Sequence, residues 1–140
     1  MPSPGDRTAR DRNAGFGACT WYFPDGDRPP PADGTWEPHE ALMILNVSAK
    51  PAQILIDVYW ADRPPVMGLA VTVEPERVVS LRAPYATHDA DGQAFDIPVR
   101  TQYALRVRSD VPVICQYGRL ELVPSFALYT TMGIADRSEP

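Results

Sequence analysis

Apolar side chains recur at every second position in several short runs of this chain, each closed by Pro, Gly, Asp or Asn, which is the pattern of β-strands rather than helices. AQILIDVYWA (52–61) is the clearest run. Ile54, Ile56, Val58 and Trp60 share one side and Leu55, Asp57 and Tyr59 the other, because successive strand side chains point to opposite faces. The first side is predicted core. In YALRVRS (103–109), Tyr103, Leu105 and Val107 alternate with Arg106 and Arg108, so one side of that strand meets water. Further strands are predicted at 18–23, 41–47, 69–73, 77–82, 113–116, 119–122 and 126–132, the last also compatible with a helix. Turn chemistry separates them at PDGD (24–27), DRPP (62–65), EPE (74–76), DADG (89–92) and SDVP (109–112), with Pro112 predicting an edge or a strand start. About nine short strands at this spacing predict an all-β sandwich, jelly roll or barrel. Two long loops, 25–38 and 84–96, carry Trp36 and Tyr85; loops of this length are often functional.

Length and composition narrow this picture. At 140 residues the chain suits one domain that buries roughly two-thirds of its unfolded surface. Sixteen prolines against 9 glycines disfavour long helices. The ends, 1–17 and 135–140, are rich in Pro, Gly, Asp, Arg and Ser and are expected to be flexible around a domain at 18–134. A net charge of −5, with arginines scattered among acids, gives no stripe for nucleic acid. No apolar segment opens the chain, and the longest apolar run, 41–45, is too short to cross a bilayer. Cys19 and Cys115 lack CxxC spacing and are expected reduced and buried. Together these features predict a cytoplasmic protein.

The candidate chemistry centres on PHEALMILN (38–46), where polar groups bracket an apolar run. His39 and Glu40 are adjacent, so in a strand they face opposite ways and make a poor catalytic pair. A metal site would need His39, Glu40 and the distant His88 together, without HxH or HExxH spacing. Asn46 has two readings: an amide tying off loop backbone at a strand end, or a polar point in a ligand pocket. Late in the chain, VICQYGRLEL (113–122) places Gln116, Gly118 and Leu120 on one parity and Cys115, Tyr117, Arg119 and Glu121 on the other. Gly118 there predicts a bulge, and Arg119 beside Tyr117 and Glu121 has two readings: a stacked, carboxylate-paired structural cluster, or a holder of an anion or a sugar hydroxyl. Trp21 reads as core, with ligand stacking as the alternative. No serine has a GxSxG context and no glycine-rich phosphate loop is present, so neither a serine hydrolase nor a phosphate-loop enzyme is supported.

The order and spacing of several words resemble the sensory rhodopsin transducer family, soluble partners of a cyanobacterial photoreceptor and their bacterial homologues. The words are WYFPDG (21–26), HEALMILN (39–46), ILIDVYWAD (54–62), VEPERVVSLR (73–82), DIP (96–98) and SDVPVICQYGRLE (109–121), spanning about residues 19–132. The resemblance implies an antiparallel β-sandwich of jelly-roll type, a homotetramer in the cytosol, no catalytic activity and no cofactor. It also implies a likeness to carbohydrate-binding modules with small sugar-like ligands, and a membrane rhodopsin as partner for a few members. The matching polar set is His39, Glu40, Asn46, Arg82, Gln116 and Arg119, with Glu121 where the family often has Asp. Between Arg77 and Arg82 this chain lacks the Thr and His common in the family, and His88 and Asp89 of the 84–96 loop are candidate replacements.

The resulting expectation is a non-enzymatic ligand-binding or signal-relay module in which His39, Glu40, Asn46, Arg82, Gln116, Arg119 and Glu121 rim one polar recess, with Trp21 or Trp36 covering an apolar ring face. Two alternatives stand beside it. One is a protein–protein adaptor for a membrane photoreceptor or other receptor; the other is a metal-dependent jelly-roll enzyme using His39, Glu40 and His88.

Overall fold

The computed structural model describes residues 16–138. Eight strands follow one another: β1 (Ala18–Asp27), β2 (His39–Asn46), β3 (Ala52–Trp60), β4 (Val66–Val73), β5 (Arg77–Arg82), β6 (Gln102–Glu121), β7 (Ala127–Met132) and β8 (Ile134–Asp136). Every ladder is antiparallel. One layer, sheet A, runs β4-β3-β6-β1-β8, and the other, sheet B, runs β5-β2-β6-β7. The result is an antiparallel β-sandwich, with 126–132 resolved in favour of strand. Residues 1–15, expected to be flexible, lie outside the described residues.

β6 belongs to both layers, which corrects the prediction of a turn at 109–112. Its first half pairs with β3 as far as Ser109, and its second half joins β2 from Ile114. The ladder with β1 shifts register between Ala18↔Val113 and Thr20↔Arg108, so Pro112 falls where no regular ladder needs its missing N–H. Side chains fasten this corner, Asp110 Oδ1 accepting from Gln53 N at 2.8 Å and Ser109 Oγ from Val111 N at 3.3 Å. A strand changing sheets at such a corner is how sandwich layers are joined. Three predicted strands therefore fuse into one. Gly118 is not a bulge either, since both of its ladders run through it in register.

PDGD, predicted as a turn, lies inside β1 as an irregularity between Phe23 and Gly26. A Cβ on Gly26 would overlap the Tyr103 ring, which is itself buried and cannot swing aside. Gly26→Ala is accordingly expected to cost about 1–3 kcal/mol by overpacking, read as a lowered urea midpoint with an unchanged slope. At the far end, Ala135 and Asp136 pair with β1 as part of β8 rather than forming a loose tail. The core lies between the layers, where Leu42 and Ile44 of sheet B meet Ile54, Ile56, Val58, Leu105 and Val107 of sheet A. Cys115 is buried there, and burial pushes its thiol up to about 12, so it stays protonated at neutral pH.

Candidate functional site

The start of β2, the bulged end of β1 and the end of β6 meet at one end of the sandwich. Register sets Glu40 opposite Arg119 and His39 opposite Leu120. Directly opposed residues share a face, so Glu40 and Arg119 look into the sandwich while His39 and Leu120 look out. Glu40 is 1% exposed. Its Oε2 accepts hydrogen bonds from the Tyr117 hydroxyl and from Asp27 N, at 3.0 Å for the latter. Its Oε1 is buried with no hydrogen bond of regular geometry, with the Tyr103 hydroxyl close enough to this carboxyl for Glu40 to raise that phenol.

Phenols surround this carboxyl. Burial raises the Tyr117 hydroxyl far above its ordinary value, and the hydrogen bond and charge of Glu40 raise it further, so it remains protonated and donates. Tyr85 and Tyr103 share a 2.6 Å hydroxyl–hydroxyl hydrogen bond, and burial first, then their surroundings including Glu40, raise both. Loop 84–96 therefore reaches the site through Tyr85 rather than through His88, whose ring nitrogen instead faces Thr87 Oγ1 at 3.0 Å.

Arg119 forms the rim. Its Nη1 lies 3.4 Å from the Tyr117 hydroxyl and its Nε 3.5 Å from Glu121 Oε1, while the guanidinium sits 4.8 Å from the Tyr129 ring centroid. The Tyr129 hydroxyl donates to Asp25 Oδ2 at 3.1 Å. Beside this rim opens a cleft of about 460 Å³ lined by Phe23, Asp25, Tyr117, Tyr129 and Met132 among others. A second hollow, of about 90 Å³, lies between Arg28, Glu37, His39, Glu40 and Arg82. Glu40 thus lines the small hollow, and its partner Tyr117 lines the larger cleft.

Not every predicted residue joins this cluster. Asn46 shares the inward face of β2 but sits six residues further along, roughly 20 Å away. Its amide donates to the carbonyls of Lys50, Val73 and Glu74 at 2.7–3.3 Å, and its Oδ1 accepts from Ser48 N and Oγ; the tying-off account of this residue is the one its contacts match. Gln116 has the opposite parity to Arg119 and stands on the outer face of sheet B, opposite Met43 and Met132. Trp21 is buried, its indole N–H held by the carbonyls of Ala18 and Val113. Trp36 is exposed and packs on Phe126. His39 and Arg82 lie outside, both near Glu37, which offers its carbonyl to the His39 ring and its carboxylate to Arg82. The single recess is therefore two places: a buried Glu40–Arg119 cluster, and an outer groove holding Trp36, His39 and Arg82. Period two is the reason, because adjacent residues of one strand point to opposite faces, and only at the strand entrance do His39 and Glu40 both border the small hollow. Among the described residues no group of three or more His, Cys, Asp or Glu is placed to hold a metal ion.

Asp25, Tyr129, Tyr85 and Tyr103 complete the cluster without having been singled out for it. Only Tyr117 carried a signal, through its shared parity with Arg119. The fold and this geometry can be set against known proteins. The model of the family described as Anabaena sensory rhodopsin transducer matches residues 16–135. The chain belongs to the Anabaena sensory rhodopsin transducer family. Among solved structures, a Thermotoga maritima protein described as 1070 is 31% identical with a TM-score of 0.74, covering 86% of this chain and 97% of its own. The Anabaena sensory rhodopsin transducer itself is 29% identical with a TM-score of 0.60, covering 73% of this chain and 94% of its own. No curated protein matches. Among the described residues of this transducer-family chain, no helix is long and apolar enough to cross a membrane.

Proposed function

We propose that this protein is a non-enzymatic, cytoplasmic transducer module that binds a small polyhydroxylated, sugar-like ligand at the Glu40–Arg119 end of the sandwich, and that it works as a homo-oligomer. The observation that carries the ligand reading is the buried Glu40 oxygen without a regular hydrogen bond, a ready acceptor for a hydroxyl brought from outside. Beyond its partner Tyr117, on the side of the larger cleft, the chemistry suits a sugar: Arg119, Glu121 and Asp25 offer charged donors and acceptors, and the Tyr117 and Tyr129 rings offer apolar faces. Nothing in this set supplies an activated nucleophile, and the phenols stay protonated at neutral pH. Binding at the junction of β1, β2 and β6 would touch both layers at once, giving occupancy a route to the rest of the molecule.

A thermal-shift screen against monosaccharides tests this directly. A ligand at 100 times its Kd adds about 2.7 kcal/mol of stability, a melting rise of several degrees that Arg119→Ala should abolish. No shift with any sugar, or a shift that persists in Arg119→Ala, would count against the site. The family name favours a second reading, an adaptor to a membrane rhodopsin. In that case pull-down of a sensory rhodopsin would survive Arg119→Ala and fail on substitutions in the connection 28–38 between β1 and β2.

A further inference from the structure

We infer that the outer face of sheet A carries a second binding site, for a phosphoryl group, built from Arg106 and Arg108 over the buried Asp57. Parity puts all three there. Arg106 is paired directly with Asp57 on one side and Tyr22 on the other, and Arg108 stands two residues on, opposite Leu55 and Thr20. Residues two apart on one strand share a face.

Asp57 needs one arginine, and the fold supplies two. Arg108 grips the carboxylate at two points, Nε on Oδ2 and Nη2 on Oδ1, both at 2.8 Å. The Gly68 amide adds a bond to Oδ1 at 2.9 Å. The carboxylate is then matched in charge, yet Arg106 also donates its Nε to Oδ2 at 2.7 Å. Two cations crowd one oxygen, and only one of them is offset. Among the described residues no other acid lies within ion-pair distance of either arginine. Guanidiniums held this close repel each other, and an anion lying across both relieves that repulsion.

The donors left over suit one kind of anion. Arg106 has used only its Nε, and Arg108 only Nε and Nη2, on Asp57. A carboxylate is matched by a single guanidinium fork, whereas a phosphoryl group carries three acceptor oxygens and a charge of about −2, enough for two guanidiniums at once. The arginine side chains are 24% and 37% exposed, open to a ligand yet partly sheltered from water. Asp57 already holds them in place, so little side-chain entropy is lost when an anion binds. The Arg106 guanidinium sits 5.6 Å from the Tyr59 ring centroid, and Tyr22 stands beside it on β1. These rings give the organic part of a phosphate ester an apolar side to rest on. The chain as a whole carries a charge of −5, so its general field repels anions and attraction has to come from a local arrangement such as this one.

Titration of the full chain with inorganic phosphate and with phenyl phosphate, followed by phosphorus NMR at neutral pH and fixed ionic strength, tests the site. Both probes are expected to bind. Arg106→Gln leaves Asp57 its bonds from Arg108 and Gly68, so its circular dichroism should match wild type, and it should weaken both probes about tenfold or more, the loss of one charge-assisted contact. Arg106→Lys keeps the charge without the fork and should weaken them by less. Arg77→Gln removes the same charge from the start of β5 and should leave both affinities unchanged. Tighter binding of phenyl phosphate assigns the site to an organic ester and equal binding to free phosphate, and either result supports a phosphoryl site. Failure of both probes to bind wild type overturns the proposal. So does equal weakening by Arg106→Gln and Arg77→Gln, which is general charge attraction, and so does binding that survives both Arg106 variants.

Discussion

Replacing Asp57 by alanine is expected to lower the unfolding free energy by about 3 kcal/mol. Asp57 is fully buried although it lies on the outward parity of β3. It sits at the register shift between β3 and β4, where its Oδ1 accepts from Gly68 N at 2.9 Å. Three further hydrogen bonds of 2.7–2.8 Å come from Arg106 and Arg108. Truncation leaves the Gly68 amide without a partner and removes the charge-assisted bonds. Both arginines are partly exposed and rehydrate, which keeps the loss below the upper range for a fully buried pair. The sign with pH follows from the carboxyl itself. Burial alone raises it, but the hydrogen bonds from Arg108, Arg106 and Gly68 and the Arg108 charge outweigh burial and hold it below its ordinary value. Its contribution is therefore complete above the unfolded value near pH ~3.9 and disappears as pH falls through the lower folded value. Urea unfolding of wild type and Asp57→Asn between pH 7 and pH 2 should show the gap between them closing below about pH 4. A gap that stays constant would mean that Asp57 does not carry this part of the acid sensitivity.

Much of this fold was legible because strands announce themselves by period. Ile54, Ile56, Val58, Leu105 and Val107 all reach the core as their alternation required. The misreadings share one physical cause: local turn chemistry was overruled by pairing made far away in sequence. SDVP and PDGD contain good turn formers, yet β3 and β2 hold the two halves of β6 straight through the first, and the Tyr103 ring packed on Gly26 holds the second within β1. The site was legible to the extent that parity determines it. Glu40 and Arg119 share an inward face and meet; Gln116 and His39 have the other parity and do not. Which end of a strand a residue occupies is equally readable, and Asn46 is separated from Glu40 by that alone. Asp25, Tyr85 and Tyr129 were not legible as neighbours of Glu40, because a loop and two separate strands bring them in and no local pattern records such convergence.

Glu40→Ala is expected to cost about 3 kcal/mol, because the Tyr117 hydroxyl and the Asp27 amide each lose their acceptor in a buried setting. Glu40→Gln separates structure from function. Its single amide oxygen can still accept from both Tyr117 and Asp27, so the fastening of β1 to β6 survives and stability should stay within about 1 kcal/mol of wild type. What changes is the other position. A carboxyl oxygen that accepts becomes an amide N–H that donates, and an incoming hydroxyl loses the acceptor that would orient it. A fastening carboxyl with no other role would have both oxygens satisfied, as the Asp57 carboxylate has; at Glu40 one has no regular hydrogen bond. Denaturant unfolding combined with sugar-dependent thermal shift should therefore find Glu40→Gln folded and unresponsive. A Glu40→Gln protein that melts higher with sugar as the wild type does would show that this oxygen takes no part in binding, and the ligand would have to be sought at the outer groove instead.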